Sequence, residues 1–266
     1  MSYTFSLSQI NKHYERRSAL LRHSTKELAM NSGSHLSKLF RYAGTTLRNT
    51  LDCQQHVPEL INLADKITKD DISFDKSILD SPVCLAQKQG FVSEIHEKAP
   101  VTYVHVFEDE SFSAGVFIVR DGYRLPLHDH PNMHGIIKVI HGTALIKQFS
   151  EVSGEIPESI KKRVKPWQIP TLKCVDTGTE TVVNTSSKPC VLTPSKSNLH
   201  EITATNGVLA FFDILFPPYD HRTGARVCKY YRSIATPEEV ATHQKQFLLE
   251  VPTPPDFWCD TLPLLD

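Results

Sequence analysis

The sequence predicts an all-β core of sandwich or jelly-roll type, with helices before it and one helix after it. Three observations carry that reading. From Val101 onwards, short runs rich in Val, Ile, Phe and Thr recur, and Asp, Gly, Pro, Ser or Asn separates most of them. Many short strands with such breaks favour a sandwich or jelly roll. Helical signals fall before residue 70 and again after residue 235. A chain of 266 residues can also bury one large core, and a β-sandwich of this size often forms a single domain.

The first fifty residues differ from the rest. They hold eight Lys and Arg against two acids, Glu15 and Glu27. Ile10, Tyr14, Leu20, Leu21 and Leu28 make a loose helical stripe. This start reads either as a solvated helical extension or as a mitochondrial presequence. Gly33 ends a first helix, and Ser34 caps a second that runs to about Leu47. We therefore divide the chain into a basic helical or flexible extension, 1–50, and a main domain, 51–266. The extension carries no site candidate and reads as dispensable for chemistry.

Pro58–Lys69 reads as a helix. Proline suits the first turn, and Leu60, Ile61, Leu63, Ala64 and Ile67 form one apolar face, expected to pack on the outside of a sheet. Asp70–Pro100 is polar and aperiodic, expected to wrap the barrel as loop and short segments. The candidate strands are Val101–Phe107, Ser113–Arg120, Ile136–Phe149, Glu180–Thr185, Cys190–Thr193, Leu199–Thr203, Val208–Phe216 and Val227–Tyr231. Ser150–Asp176 interrupts them as a charged surface insertion. Thr236-Pro237-Glu238-Glu239 opens a helix to about Phe247, with a threonine cap, proline in the first turn and glutamate at the third position. The tail, Pro252–Asp266, is expected to bury aromatic residues.

Composition excludes several classes. Net charge is −1 and hydrophobic content 40%, so there is no global field for nucleic acid or an anionic membrane. No apolar run approaches the ~20 residues of a membrane-spanning helix. Six scattered cysteines and no secretory signal suggest reduced thiols in a cytoplasmic setting. A monomer is expected.

The stretch Gly122–Gly142 carries the chemistry. His128 and His130 sit two apart on a strand and so project from one face. Two such imidazoles can be surface residues or a pair of transition-metal ligands. Asp129, between them, points to the opposite face. Asp213 lies inside an apolar strand, where a carboxylate is costly unless bonded or functional. It orients a ligand histidine, faces a substrate ammonium group or bound oxygen, or makes a local structural bond. Tyr219, in Pro217-Pro218-Tyr219-Asp220, reads as a hydroxyl at a pocket edge or as packing.

The spacing Gly122, five residues, His128-x-His130, four residues, Gly135, six residues, Gly142 resembles the first cupin motif. It departs by placing Gly135 where cupins usually have a glutamate ligand. The second motif would supply a histidine from Pro194-Ser195-Lys196-Ser197-Asn198-Leu199-His200, which is one residue long and lacks the usual glycine. His200 is thus preferred to His134 as third ligand; His134 and His141 read as supporting residues. The resemblance implies a cupin-type jelly-roll barrel.

From about Pro100 onwards, PLHDHPNMHG, VIHGT, LTPSKSNLHEI, FFDILFPPYD, CKYYR and DFWC resemble the cysteamine dioxygenase and plant cysteine oxidase family of thiol dioxygenases. That resemblance implies a non-haem Fe(2+) enzyme that adds O₂ to the sulfur of cysteamine, or of a peptide's N-terminal cysteine, to give a sulfinate. It also implies that Cys228 and Tyr230, two apart in Val227-Cys228-Lys229-Tyr230-Tyr231, can form a thioether; ordinary core packing is the alternative. Losing the carboxylate removes one negative charge, which a thiolate substrate can replace. The competing classes are a cupin isomerase or hydrolase using zinc or manganese, which usually keeps a carboxylate, and a metal-free binding module.

Overall fold

In a computed structural model, residues 33–48, 53–80, 99–262 and 264 are described. The expected first helix and Cys84 lie outside them, as does most of the expected 70–100 loop. Eleven strands form one sheet: β1 Val101–Glu108, β2 Ser113–Val119, β3 Arg124–Asp129, β4 His134–Phe149, β5 Leu172–Val175, β6 Thr179–Asn184, β7 Cys190–Leu192, β8 Leu199–Phe216, β9 Tyr230–Ser233, β10 Gln246–Val251 and β11 Cys259–Leu262. Hydrogen-bonded neighbours run β11-β1-β2-β8-β3-β9-β10-β5, and β4 pairs with β6, β7 and β8. All pairs are antiparallel except β1–β11. This is the expected jelly roll.

The spine is the β4–β8 ribbon, paired from His134↔Phe216 to Phe149↔Leu199. Strand side chains alternate between faces. In the second half of β8, Ala210, Phe212, Ile214 and Phe216 join an outer core, while Leu209 and Phe211 join an inner one. In its first half the inner residues are instead Ile202 and Ala204. The parity switches at Asn206 and Gly207, with φ of 60° and 109°. β4 switches likewise, from Ile137 and Val139 to Ala144 and Ile146, across two register shifts around Gly142. Bulges of this kind bend a ribbon. Gly142 has φ 75°, and a Cβ there would meet Val208 O at 2.2 Å, so both backbone and space demand glycine. The sequence break expected between Thr203 and Val208 is this bend within a continuous strand.

The outer face is covered by helices α1 (His35–Thr46) and α2 (Val57–Ala64). Ser34 caps α1 by accepting from Ser37 N. Leu36, Leu39, Phe40, Ala43 and Leu47 enter the same core as Leu60, Val116, Ile136 and Phe212. Helix α1 therefore belongs with the barrel, and a chain cut near Asp52 is expected to lose part of its core. α2 packs outside the sheet as expected.

Four expectations need correction. The 150–176 segment contains β5, which pairs with β10. The C-terminal helix α3 is only Pro237–His243, because Gln244 turns left-handed and Gln246–Val251 returns as a strand. The tail adds β11 beside β1, although Phe257 is buried as expected. Finally, Val227–Lys229 precedes β9 rather than joining it: Asp129 takes the Lys229 backbone, donating from its N–H to Lys229 O at 3.1 Å and accepting from Lys229 N at 3.0 Å.

One buried cation fastens α2 to the barrel. Lys138, on β4, donates to Asp65 Oδ1 at 3.0 Å, Thr185 O at 3.1 Å and Ser187 O at 2.8 Å. Asp65 also accepts from Lys188, and these lysines hold its carboxyl below the usual range. Replacing Lys138 with methionine leaves two carbonyls without a donor. Urea unfolding is expected to show a loss of about 2–3 kcal/mol; a change under about 0.5 kcal/mol would reduce this contact to surface decoration.

Candidate metal centre

His128 on β3 stands directly opposite His200 on β8 in the antiparallel register, and His130 follows the end of β3. All three are buried, and their ligand atoms lie within 4.8 Å of one another. Among the described residues this cluster contains no carboxylate or thiol. The two histidines of the β3 motif are thus joined by the expected third. His134 is elsewhere, stacked on Phe216 at a centroid distance of 5.4 Å.

The hydrogen bonds set the tautomers. His128 Nδ1 is 2.7 Å from Pro126 O, which only accepts, so Nδ1 carries the hydrogen. Tyr219 Oη is 2.6 Å from Asp129 O and 2.9 Å from His130 Nδ1. Its one proton goes to the carbonyl, so His130 Nδ1 donates to Tyr219. Both rings therefore keep a bare Nε2. His130 Nε2 lies 3.1 Å from His200 Nε2.

Burial, and then the neighbouring histidines, hold His130 well below the ordinary imidazole value. The same two causes act on His200, and burial lowers His128 to about 4. Three neutral imidazoles are what a transition metal requires. Two nitrogen ligands about 2.1 Å from one ion and at right angles stand about 3 Å apart, so the observed separation suits a shared ion. The residues fit a metal.

One support escaped the sequence. Asn198 donates from Nδ2 to His130 O at 2.6 Å and to Thr193 O at 3.0 Å, while its own carbonyl accepts from His130 N at 3.1 Å. Its placement two residues before His200 was the available signal. Gly135, the position of the usual glutamate, is filled over: a Cβ there would meet Leu192 and Leu215 at 2.9 Å.

The cluster opens into a cavity. Asp213, paired with Gly115 and Ile137, follows Leu209 and Phe211 on the inner parity and lines it. Its Oδ1 is buried without a hydrogen-bond partner, and burial raises the carboxyl to about 7. Its buried Oδ1 accepts no hydrogen bond from a ligand histidine, and the residue lines the cavity. Tyr103, Glu108 and Ser113 line the cavity too. The Tyr103 ring lies over Gly115, where a Cβ would meet it at 2.3 Å. These four positions were missed because nothing in β1 or β2 marks them chemically.

Cys228 and Tyr230 stand beside Tyr219 rather than on the cavity wall. Both side chains are buried, and burial pushes the Cys228 thiol up. Asp129 faces away, as expected: it accepts from Tyr231 Oη at 2.7 Å.

Residues 63–264 match the PCO_ADO family. The chain belongs to this family, that of the cysteamine dioxygenases and plant cysteine oxidases. It is 39% identical to human 2-aminoethanethiol dioxygenase over 62% of this chain and 66% of that protein, slightly under two thirds of the relative's length. The mouse counterpart is 40% identical, over 62% of this chain and 69% of that protein. Plant cysteine oxidase 1 of Arabidopsis thaliana is 30% identical, over 52% and 43%. A solved cupin superfamily protein from Desulfitobacterium hafniense is 12% identical with a TM-score of 0.31, covering 52% of this chain and 93% of that one.

Within this family setting Tyr219 has a measurable task. Tyr219→Phe removes the acceptor of His130 Nδ1–H and the donor to Asp129 O. Metal affinity is expected to fall about 10–100-fold, read by titrating metal-free protein. Unchanged affinity would mean that Tyr219 only packs.

Proposed function

We propose that this chain is a non-haem iron(II) thiol dioxygenase acting on an aminothiol: cysteamine, the N-terminal cysteine of a peptide, or both. The observation that carries the reading is a buried all-histidine cluster facing a buried, unpartnered Asp213 across one cavity. His128, His130 and His200 would hold the ion, and iron would supply a place where thiol sulfur and O₂ meet and where the thiol loses its proton at neutral pH. Asp213 binds the substrate's ammonium group. Tyr219 holds His130 in its ligand tautomer. Leu125, Ile137, Phe117 and Phe211 keep the site apolar.

The reaction balances without a reductant. A thiol and O₂ give a sulfinic acid; sulfur loses four electrons, O₂ takes all four, and both oxygens end on sulfur. We read Cys228 and Tyr230, two apart and both buried, as a pair that would form a thioether and stiffen the pocket edge. Among the described residues Cys174, Cys190, Cys228 and Cys259 are free thiols, which supports a reducing, cytoplasmic setting. Among the described residues no helix is long and apolar enough to cross a membrane. We read the working unit as a monomer.

The test is metal analysis of protein purified without oxygen, followed by O₂ uptake and product mass with cysteamine, free cysteine and a Cys-initiated peptide. The expected result is iron and a product heavier by two oxygens. Zinc or manganese with no O₂ uptake would overturn the reading.

A further inference from the structure

We propose that the amine seat beside Asp213 is an aromatic cage, which also accepts N-methylated and quaternary aminothiols. This rests on the thiol dioxygenase reading and names a wider substrate class for the same site.

Three aromatic side chains share one level of the barrel. Tyr103 on β1, Phe117 on β2 and Phe211 on β8 are successive partners in the antiparallel ladder. All three belong to the inner core and line the cavity. The Tyr103 and Phe117 ring centroids are 4.8 Å apart at 44°, and those of Phe117 and Phe211 are 5.4 Å apart at 23°. The rings thus hold one another as a continuous wall.

Asp213 stands in the next inward-facing row. Its partner on β2 is Gly115, which in turn pairs with His105. Two residues along a strand advance about 7 Å, which would leave the carboxylate apart from the rings. The missing side chain at Gly115 closes that gap. A Cβ there would collide with Cε2, Cζ and Oη of Tyr103, so the far end of this ring lies over Gly115, in the Asp213 row. Beyond this row a bulge between His105 and Phe107 shifts the β1–β2 register, and Glu108 reaches the cavity.

The chemistry follows from what an ammonium group meets here. Asp213 is 9% exposed, and its Oδ1 accepts no hydrogen bond. It offers charge and an acceptor. Aromatic faces attract a cation within about 6 Å of the ring centroid, and they need no N–H to do so. No lysine or arginine lines the cavity to compete. Replacing two N–H groups of a primary ammonium by methyls keeps the charge, leaves one N–H for Asp213 and adds apolar contact with the rings. A trimethylated amine keeps the charge and the rings alone.

The test compares kcat/KM for cysteamine, its dimethylated and trimethylated forms, and the neutral isosteres in which carbon replaces nitrogen. Wild-type protein should oxidise the dimethylated thiol within about tenfold of cysteamine, and should prefer each methylated cation to its isostere by about tenfold or more. The preference for the trimethylated cation should shrink about three- to thirtyfold in Tyr103→Leu and in Phe117→Leu, and should persist in Tyr103→Phe, which keeps the ring. Each preference is taken within one variant, so a general loss of activity cancels. Comparing variants cancels the acidities of the thiols themselves. A loss of more than about tenfold on dimethylation overturns the cage. So do leucine variants that both keep the wild-type preference. If only a Cys-initiated peptide is oxidised, its N-dimethylated and N-acetylated forms replace the cation and the isostere, with the same limits. Iron-loaded protein that oxidises neither cysteamine nor the peptide removes the dioxygenase reading itself.

Discussion

His200→Ala is expected to lose metal and activity together. The ring is one of three ligands, and Gln148 and His128, opposite it in the ladder, provide no replacement in its place. The loss of affinity should exceed the roughly 10–100-fold that follows removal of an outer partner. His128→Ala and His130→Ala should behave alike, whereas His134→Ala should keep its iron, since that ring stacks on Phe216 away from the cluster. Iron content and O₂ uptake decide it. Full iron in His200→Ala with loss in His134→Ala would reverse the assignment.

The second large effect concerns Asp213 and has opposite signs for function and stability. Asp213→Asn removes a charge-assisted bond to the substrate amine and should cost about 1–3 kcal/mol in kcat/KM, roughly 5- to 150-fold. The same change should stabilise the free protein at neutral and higher pH. Burial raises this carboxyl from 3.8 to about 7, so between those values the folded chain holds a proton that the unfolded chain has lost. Stability supported by the protonated form is complete below the lower value and declines as pH rises through the upper one. Three pK units correspond to about 4 kcal/mol at most, and the newly buried amide offsets part of it. Melts from about pH 4 to pH 8 should show Asn gaining on wild type by on the order of 2 kcal/mol. A difference that shrinks with rising pH would contradict this account. The wild-type KM for an aminothiol should rise as pH falls below about 7.

How much was legible follows from what each feature depends on. His128-x-His130 needs only strand alternation, a local property, and the cluster contains both. His200 came from the order of motifs, since its partner is 72 positions away and their pairing is a matter of register. Asp213 stood out because a carboxylate interrupts an apolar run. Glu108 could not stand out: an ordinary strand would put it in solvent, and a bulge leaves no mark in residue type. β5, β10 and β11 were hidden for a related reason. Each is four to six residues long and borrows its strand character from a neighbour distant in the chain. The truncated α3 reflects Gln244 entering the left-handed region, which glutamine does not announce.

The bend in the β4–β8 ribbon makes the site a fixed-jaw calliper. His200 and Asp213 belong to one strand, and they meet the same cavity only because Gly142 and the Asn206–Gly207 pair fold that strand over. The span between the histidine cluster and Asp213 is therefore written in backbone curvature. Rotamer changes at either jaw cannot lengthen it much, because both jaws sit in paired strand. An aminothiol bound as proposed would be measured by the number of carbons between its heteroatoms, and the gauge that measures it lies at a glycine touching neither end.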